Sequence, residues 1–582
     1  MWLSLTLGLV VLYIFDNSRQ LYRNVRIAQR SKLPYIVLPF SIGVIPAILF
    51  QTRWFPYIVD NVLPAWLGES IRDVLPNSRW VLKDRQAKKY GPVYLVVTPS
   101  VVLCNVSDAG VVVQITHTRG GWPKPVWQYH LVELYGPNVV TADEEQWARH
   151  RRRTAIIFNE KNDELVWKES IRLVNGMIEQ WQSANKSRDL VVQTTRDDIP
   201  KLTLNIFSGA GFGVRMPFQI VADDSAEADG PYGIFQDTPT PAQGFDFTFR
   251  AVTHYMSSNI TTVIMAIFMI PKWVPRGLFP FLKRDFAAHR DLKCYLERLL
   301  SIAGTEDSLT TSNLMQGMLR DRSASAEGSL SDQEIISNGH IFIVAGHETT
   351  ATTLRYALLL LALYQDAQDW AYQGIEEATK DEPEDAEAWD QARVYPKLIT
   401  PLCVMLETMR LYPPVVTVPK WTGNMARTIH YRGKDIFLEQ GVNLNLNMNG
   451  LHYSEEYWGS DVNEFSPQRW DARNKDSYLM KNVDLPGVNA PGLEYSTVHK
   501  PVRGAYIPFS DGGRACLGKK FAQIEVVIAL TIILRRYRIE LAEKGEDGRK
   551  RAKKALEDSA SIIALAMSHD VPLVFRERNG SQ

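Results

Sequence analysis

Cysteine is scarce. The 582 residues hold four, Cys104, Cys294, Cys403 and Cys516, too few for a disulfide framework and consistent with a reducing compartment. No C-x-x-C or histidine pair accompanies Cys516, which disfavours zinc. Net charge is also lacking: 65 basic residues balance 65 acidic ones, so nothing points to nucleic acid. A dinucleotide fingerprint is missing too. Gly209-Ala210-Gly211-Phe212-Gly213 has the spacing G-x-G-x-G with no strand before it. Long apolar runs are short for a membrane. Met1 to Phe15 would span ~22 Å as a helix, against a bilayer core of roughly 30 Å. A secretory signal is not evident, since Trp follows Met1 and no small-residue cleavage site is seen. The hydrophobic fraction, 45%, does allow a large core.

What is present centres on one cysteine. Phe509-Ser510-Asp511-Gly512-Gly513-Arg514-Ala515-Cys516-Leu517-Gly518 is a glycine-rich loop. Phe521, Ile524, Ile528 and Leu534 follow at helical spacing, so a helix is expected just after Cys516. The positive end of a helix dipole and free backbone N–H groups favour thiolate there. Gly512, Gly513 and Gly518 carry no Cβ to block a flat cofactor. This suits the proximal ligand of a haem, where a thiolate pushes electron density onto iron and favours O–O cleavage. The ten residues resemble the haem-binding loop of the cytochrome P450 family, F-x-x-G-x-R-x-C-x-G. Phe509, Gly512, Arg514, Cys516 and Gly518 match all five fixed positions.

Further motifs extend the resemblance. Trp147 and Arg151 are four apart and share a helix face. An indole N–H beside a guanidinium makes a clamp for a carboxylate, and the family uses W-x-x-x-R to hold a haem propionate. The neighbouring Arg149, Arg152 and Arg153 are expected to face solvent and attract an acidic partner. Ser331-Asp332-Gln333-Glu334 is a capping box that opens a long helix. On it lies Ala345-Gly346-His347-Glu348-Thr349-Thr350, matching the family's A/G-G-x-D/E-T-T. A threonine hydroxyl can bond back to the Ala345 carbonyl, and Gly346 weakens the ladder, so a distorted turn with room for O₂ and water is expected.

Thr400-Pro401 starts another helix, carrying Glu407 and Arg410 three apart on one face. With Arg469, the resemblance implies a buried structural triad. Two departures from the family pattern stand out. Pro467-Gln468-Arg469-Trp470 replaces the usual P-E-R-F, and Lys420 stands where many relatives place an arginine against a propionate. Lysine supplies charge without a bidentate fork.

The remaining chain reads as follows. Residues 1–50 are expected to form a membrane anchor, one crossing plus one interfacial segment, drawn from Met1–Phe15 and Leu33–Phe50. Arg19, Arg23, Arg26, Arg30 and Lys32 between them sit on the cytoplasmic side. Residues 51–77 are a linker, and 78–582 the catalytic domain. Tyr90–Val97 and Ser100–Cys104 read as a β-hairpin. Thr116–Tyr135 reads as a loop that, by the resemblance, roofs a substrate pocket. Ile260–Leu282, apolar with three prolines, dips into a membrane surface or lines a substrate entrance; a buried core helix is the alternative. By the resemblance, residues 415–418 face the distal side of the haem, and a tail hairpin puts Ile562–Ala566 near substrate.

The resemblance implies a mainly α fold with small β-sheets, the cytochrome P450 fold, preceded by an N-terminal membrane anchor. It implies haem b with Cys516 as axial ligand. Trp147, Arg151, Lys420, Arg514, Gly346 and Phe509 are the cofactor contacts, and Glu348 and Thr349 deliver protons. The implied activity is monooxygenation of a hydrophobic small molecule with O₂. No flavin domain is visible, so electrons come from a separate NADPH-cytochrome P450 reductase, with cytochrome b5 as a further candidate. The general wording resembles microsomal fungal members, many acting in secondary metabolism, with the catalytic domain on the cytosolic face of the endoplasmic reticulum. Two alternatives are a haem-thiolate isomerase or dehydratase needing no external electrons, and a non-catalytic membrane haem protein.

Overall fold

The computed structural model describes residues 2–39, 54–64, 68, 71, 78–118, 121–129, 132–156, 158–185, 187–219, 230–271, 273–304, 313–320, 329–474, 498–561 and 564–578. The chain divides into two compact units. One contains residues 1–125, 409–516 and 556–568; the other contains 126–408, 517–555 and 569–582.

The first unit carries a five-stranded sheet. Its order is Tyr35–Val37, Val93–Val97, Val102–Val106, Asn443–Asn447, Thr417–Trp421. The hairpin expected from the sequence forms its centre, with Val97 opposite Val102. Val93-Tyr94-Leu95-Val96-Val97 is buried at every position, so its sequence is a continuous apolar run rather than an alternation. Lys420 lies on an edge strand opposite Leu444.

The first strand corrects one expectation. Tyr35–Val37 pairs in parallel with Leu95–Val97, and Leu38 beside it is fully buried. The stretch Leu33–Phe50 therefore begins inside this sheet; residues 40–50 lie outside the described ones. The prolines that interrupt the run explain why. They disfavour a helix but are tolerated at the ends of an edge strand, and the Pro34 carbonyl still accepts Leu95 N–H at 2.9 Å.

One helix, Trp2–Ser31, precedes the strand. Its second half is docked on the sheet. The Asn24 amide donates to the carbonyls of Thr98 and Pro99, at 2.8 and 3.0 Å, and Arg30 pairs with Glu439 at 2.5 Å. Its first half presents Val11, Leu12, Tyr13, Ile14 and Phe15 to solvent. Among the described residues no helix is long and apolar enough to cross a membrane, so the expected anchor is not seen as a span. The charges from Asp16 to Arg30 interrupt the apolar run of this continuous helix.

The second unit is organised about the 32-residue helix Asp332–Leu363. The capping box is complete. Ser331 Oγ accepts Glu334 N–H at 3.3 Å, and Glu334 Oε2 accepts Ser331 N–H at 2.9 Å. The same carboxylate receives both terminal nitrogens of Arg149, which also donates to the Ser329 carbonyl. Arg149 is thus committed to the helix start rather than free for a partner, while Arg152 is exposed.

Helix Thr195–Phe212 packs along the long helix. The stretch Gly209–Gly213 is its end, with Gly213 as a left-handed cap at φ 75°, which is the helix-stop role of glycine. Helix Lys519–Arg536 buries every residue from Phe521 to Leu534. The four apolar positions expected as a stripe belong to a helix enclosed on all sides. A three-stranded sheet, Leu190–Val192, Leu573–Glu577, Tyr537–Leu541, completes this unit. The charged stretch that ends at Lys554 is helical from Gly545, within Gly545–Glu557.

Burial alone would raise the Glu334 pKa, but hydrogen bonds from Arg149 and Ser331 outweigh it and bring the carboxyl to about 2. A carboxylate held below its unfolded value of about 4.3 stabilises the fold above that value and loses the effect as pH falls through the folded one. The protein should therefore melt higher than Glu334→Gln near neutral pH. The gap should close as pH falls from about 4.3 towards 2. Melting curves whose separation is independent of pH over that window would rule this out.

Candidate active site

Of the four cysteines, Cys104 and Cys403 are buried, Cys294 is half-buried and Cys516 is exposed. Burial pushes the Cys104 thiol up to about 12, and burial also raises Cys294. Cys516 is the most accessible of the four. Its loop is fixed by backbone: Cys516 N–H donates to the Phe509 carbonyl at 2.9 Å, and Ala515 N–H to Gly512 at 3.1 Å. The Asp511 carboxylate accepts Gly512 N–H at 2.8 Å. Helix Lys519–Arg536 follows, with Gly518 as its cap.

Gly512 has a reason unrelated to a cofactor. Its φ is +68°, and a Cβ there would sit 1.9 Å from the Thr116 carbonyl oxygen. Both the turn and the close approach demand glycine. Gly518 is roomier, the nearest atom to an added Cβ being on the Phe158 ring at 3.8 Å. An exposed sulfur held by a rigid loop at a helix start is the donor that haem iron takes, so the residues present fit that cofactor. Phe509 and Arg514 are half-buried in the same loop.

The first unit also holds buried charge. Lys420 is buried on its edge strand. The Arg410 guanidinium, fully buried, donates to the carbonyls of His452, Val462 and Glu464 at 2.9, 2.7 and 3.1 Å. Arg469, equally hidden, bonds the Trp458 carbonyl at 3.3 Å and pairs with Asp461 at 3.3 Å. Trp470, where the family has phenylalanine, packs on Trp458 and Tyr506 with ring centroids 5.3 and 4.7 Å away. Glu407 lies on the Arg410 helix, Ile399–Leu411, and is fully buried. None of the three is a surface ion-pair residue. Both guanidiniums donate to carbonyls of segment 452–464, which helps to pin a stretch outside any sheet.

The tail hairpin, Ala560–Ser561 with Leu565–Ala566, docks beside the 415–418 segment. Leu565 N–H donates to the Pro414 carbonyl at 2.8 Å. Ile562 lies outside the described residues.

In the second unit, Trp147 and Arg151 are half-buried on helix Glu144–Ala155. Between them His150 is fully buried, with Nδ1 2.9 Å from the Asn338 amide and Nε2 3.3 Å from Glu334. Burial lowers its pKa.

Thr349 Oγ1 donates to the Ala345 carbonyl at 3.0 Å, the back-bond expected from sequence. Thr350, buried, donates to Gly346 at 2.9 Å and lies 3.4 Å from the Glu525 carboxyl. Thr203 donates to the His347 carbonyl at 3.0 Å. Hydroxyls thus reach three successive carbonyls, yet the helix stays regular from Asp332 to Leu363. The expected distorted turn is absent, because the hydroxyls share these carbonyls without opening the helix. Gly346 serves packing: an added Cβ would sit 2.5 Å from the Phe207 ring of helix Thr195–Phe212.

Glu348 is half-buried, and burial raises its pKa; the Ser257 hydroxyl and His254 act in the opposite direction. Both lie on helix Phe249–Ser258. Sequence reasoning missed them, since neither belongs to a motif. It also missed Glu525, whose signal was visible: it is the only acid in the run Phe521–Leu534.

Segment Ile260–Leu282 is no core helix. It runs as a short helix, Ile260–Ile264 continuing into a wider π turn Met265–Met269, and then two single 3₁₀ turns, Arg276–Leu278 and Pro280–Leu282. It exposes Phe268, Met269, Trp273, Leu278 and Phe281, with Trp273 84% accessible.

Comparison with known proteins places these features. The family model for cytochrome P450 matches residues 76–561. Cytochrome P450 monooxygenase 124 of Postia placenta is 30% identical over 499 residues, covering 83% of this chain and 84% of its own. Cytochrome P450 monooxygenase ORF6 of Penicillium roqueforti is 28% identical over 602 residues, covering 98% and 96%. The crystal structure of a cytochrome P450 superposes with a TM-score of 0.62 at 20% identity, over 85% of this chain and 97% of the other, a likeness of fold. With a family match across most of its length and an exposed cysteine in the signature loop, this chain belongs to the cytochrome P450 family of haem-thiolate monooxygenases.

Proposed function

We propose that the protein inserts one oxygen atom of O₂ into a hydrophobic small molecule, in fungal secondary metabolism. Electrons come from a separate NADPH-dependent cytochrome P450 reductase. The observation that carries this reading is the acid-alcohol pair Glu348-Thr349 on the long helix. The haem, when bound, supplies O₂ activation under the push of a thiolate. Cys516 would be that ligand, and Trp147, Arg151, Lys420 and Arg514 would hold the propionates.

Thr349 spends its one proton on the Ala345 carbonyl, so its oxygen is left as an acceptor that can hold a water. Burial raises the Glu348 pKa, which suits a carboxyl that hands a proton to that water. Thr350 faces Glu525 in the packed interior and belongs to the scaffold. With a fluorogenic alkoxycoumarin as probe substrate, Thr349→Ala should keep haem and NADPH consumption. Product per NADPH should fall by about 10²-fold if the proton route is lost, with hydrogen peroxide in its place. Unchanged coupling would remove Thr349 from the route. Cys516→Ser should abolish the thiolate-type red-shifted absorption of the reduced CO complex; an unaltered spectrum would refute the ligand.

Attachment to a membrane, on the cytosolic face of the endoplasmic reticulum, is part of the same reading. It is supported by the five consecutive exposed apolar residues Val11–Phe15 and by the exposed group from Phe268 to Phe281. Arg19, Arg23, Arg26 and Arg30 follow the apolar end, as the positive-inside rule requires. Deleting residues 2–15 should release the protein from integral association while leaving its melting temperature near that of the full chain. Deleting residues 2–50 should destabilise it, because that cut removes Tyr35–Val37 and buried Leu38. Equal stability of the two truncations would show the strand to be dispensable.

A further inference from the structure

The Glu348 carboxyl needs a source of protons, and helix Phe249–Ser258 is packed against the long helix that carries it. Ser257 on that helix is 9% exposed, and its Oγ is buried with no partner at full hydrogen-bond geometry. The group it faces is the Glu348 carboxyl. A buried hydroxyl left without a partner costs roughly 1–3 kcal/mol, so its persistence there calls for a role. Three residues earlier, on the same face, His254 is exposed to solvent. Its charge acts on both Glu348 and His347 across the helix pair, and its Nε2 lies 3.5 Å from Ser258 Oγ. His347 itself is no candidate donor. It is buried, its Nδ1 bonds the Ile343 carbonyl at 2.6 Å, and burial brings its pKa down to about 4.

We propose that Ser257 and His254 are positioning residues for Glu348: Ser257 turns the carboxyl towards its own helix, and His254 exchanges protons between that carboxyl and solvent. This rests on the reading of Glu348 given above. The step is a proton transfer with no electrons moved. Each proton that leaves the Glu348 carboxyl is replaced by one from the His254 imidazolium, which regains one from bulk water. Histidine suits the task because it changes charge near neutral pH.

The test uses the full-length, haem-replete protein. The first readout is infrared: the carbonyl stretch of protonated Glu348, identified by its loss in Glu348→Gln, should move in Ser257→Ala and return in Ser257→Thr, which keeps the hydroxyl. The second is coupling with reductase and the alkoxycoumarin probe. Glu348→Gln should lower product per NADPH by about 10²-fold, and His254→Phe by roughly 10-fold with a larger solvent deuterium isotope effect. Haem content and melting temperature identify any variant that misfolds, and the Ser257→Thr return holds independently of folding in Ser257→Ala. If Glu348→Gln uncouples the reaction while the infrared band ignores Ser257→Ala and His254→Phe behaves as the parent, the relay is overturned and the role of Glu348 stands. If Glu348→Gln itself leaves coupling intact, both are overturned.

Discussion

One carboxylate ties the helical unit together at the point where two family motifs meet. Glu334 accepts Ser331 N–H, completing the capping box, and takes both terminal nitrogens of Arg149. His150, next to Arg149, is 3.3 Å away. The Trp147–Arg151 helix and the Glu348–Thr349 helix are therefore joined through this carboxylate and, beside it, through the Asn338 amide at His150. Helix ends carry unsatisfied N–H groups, and a 32-residue buried helix can settle in several axial positions unless one end is held. A charge-assisted, two-pronged contact holds it better than apolar packing, which tolerates sliding.

Buried charge does similar work in the first unit by another route. Arg410 and Arg469 point into loop segments 452–464 and spend their donors on backbone carbonyls. Such a segment has no ladder to satisfy its polar groups, and burying it otherwise would cost several kcal/mol. Guanidinium offers five donors in a rigid fork, so one side chain can serve three carbonyls at once. Substituting tryptophan for phenylalanine at Trp470 changes the filler but leaves this arrangement intact, since Trp458 and Tyr506 accept the larger ring.

The sequence showed the motifs more clearly than the reasons for them. The hairpin Val93–Val106, the capping box at Ser331, the Thr349 back-bond and the helix ending at Arg536 were all legible from local pattern. Periodicity found helix Lys519–Arg536 but suggested a one-sided apolar stripe, whereas the helix is buried on every side. Strand Tyr35–Val37 was hidden for a different reason. Three residues between prolines carry too little pattern, and their partner, Leu95–Val97, lies some sixty positions away. Arg149 looked like a solvated basic residue because its partner, Glu334, was visible only as a cap. Nonlocal contacts were the missing information in each case.

The glycines make the same point at the active site. Gly346 and Gly512 sit in motifs associated with haem and oxygen, and both were read as making room for them. In the structure Gly346 admits the Phe207 ring, and Gly512 admits the Thr116 carbonyl at a backbone angle of +68°. Neither requirement involves the cofactor. A motif can therefore be invariant in spacing because the scaffold would not close without it, while the chemistry rests on fewer residues. In the proposed reading those residues are the ones left over after packing is accounted for. Cys516 is exposed where the other cysteines are hidden to some degree. Glu348 is half-buried, and burial outweighs the opposing influence of Ser257 and His254, whereas Arg149 and Ser331 outweigh burial at Glu334. Thr349 keeps an acceptor oxygen free of the packing that fixes Thr350.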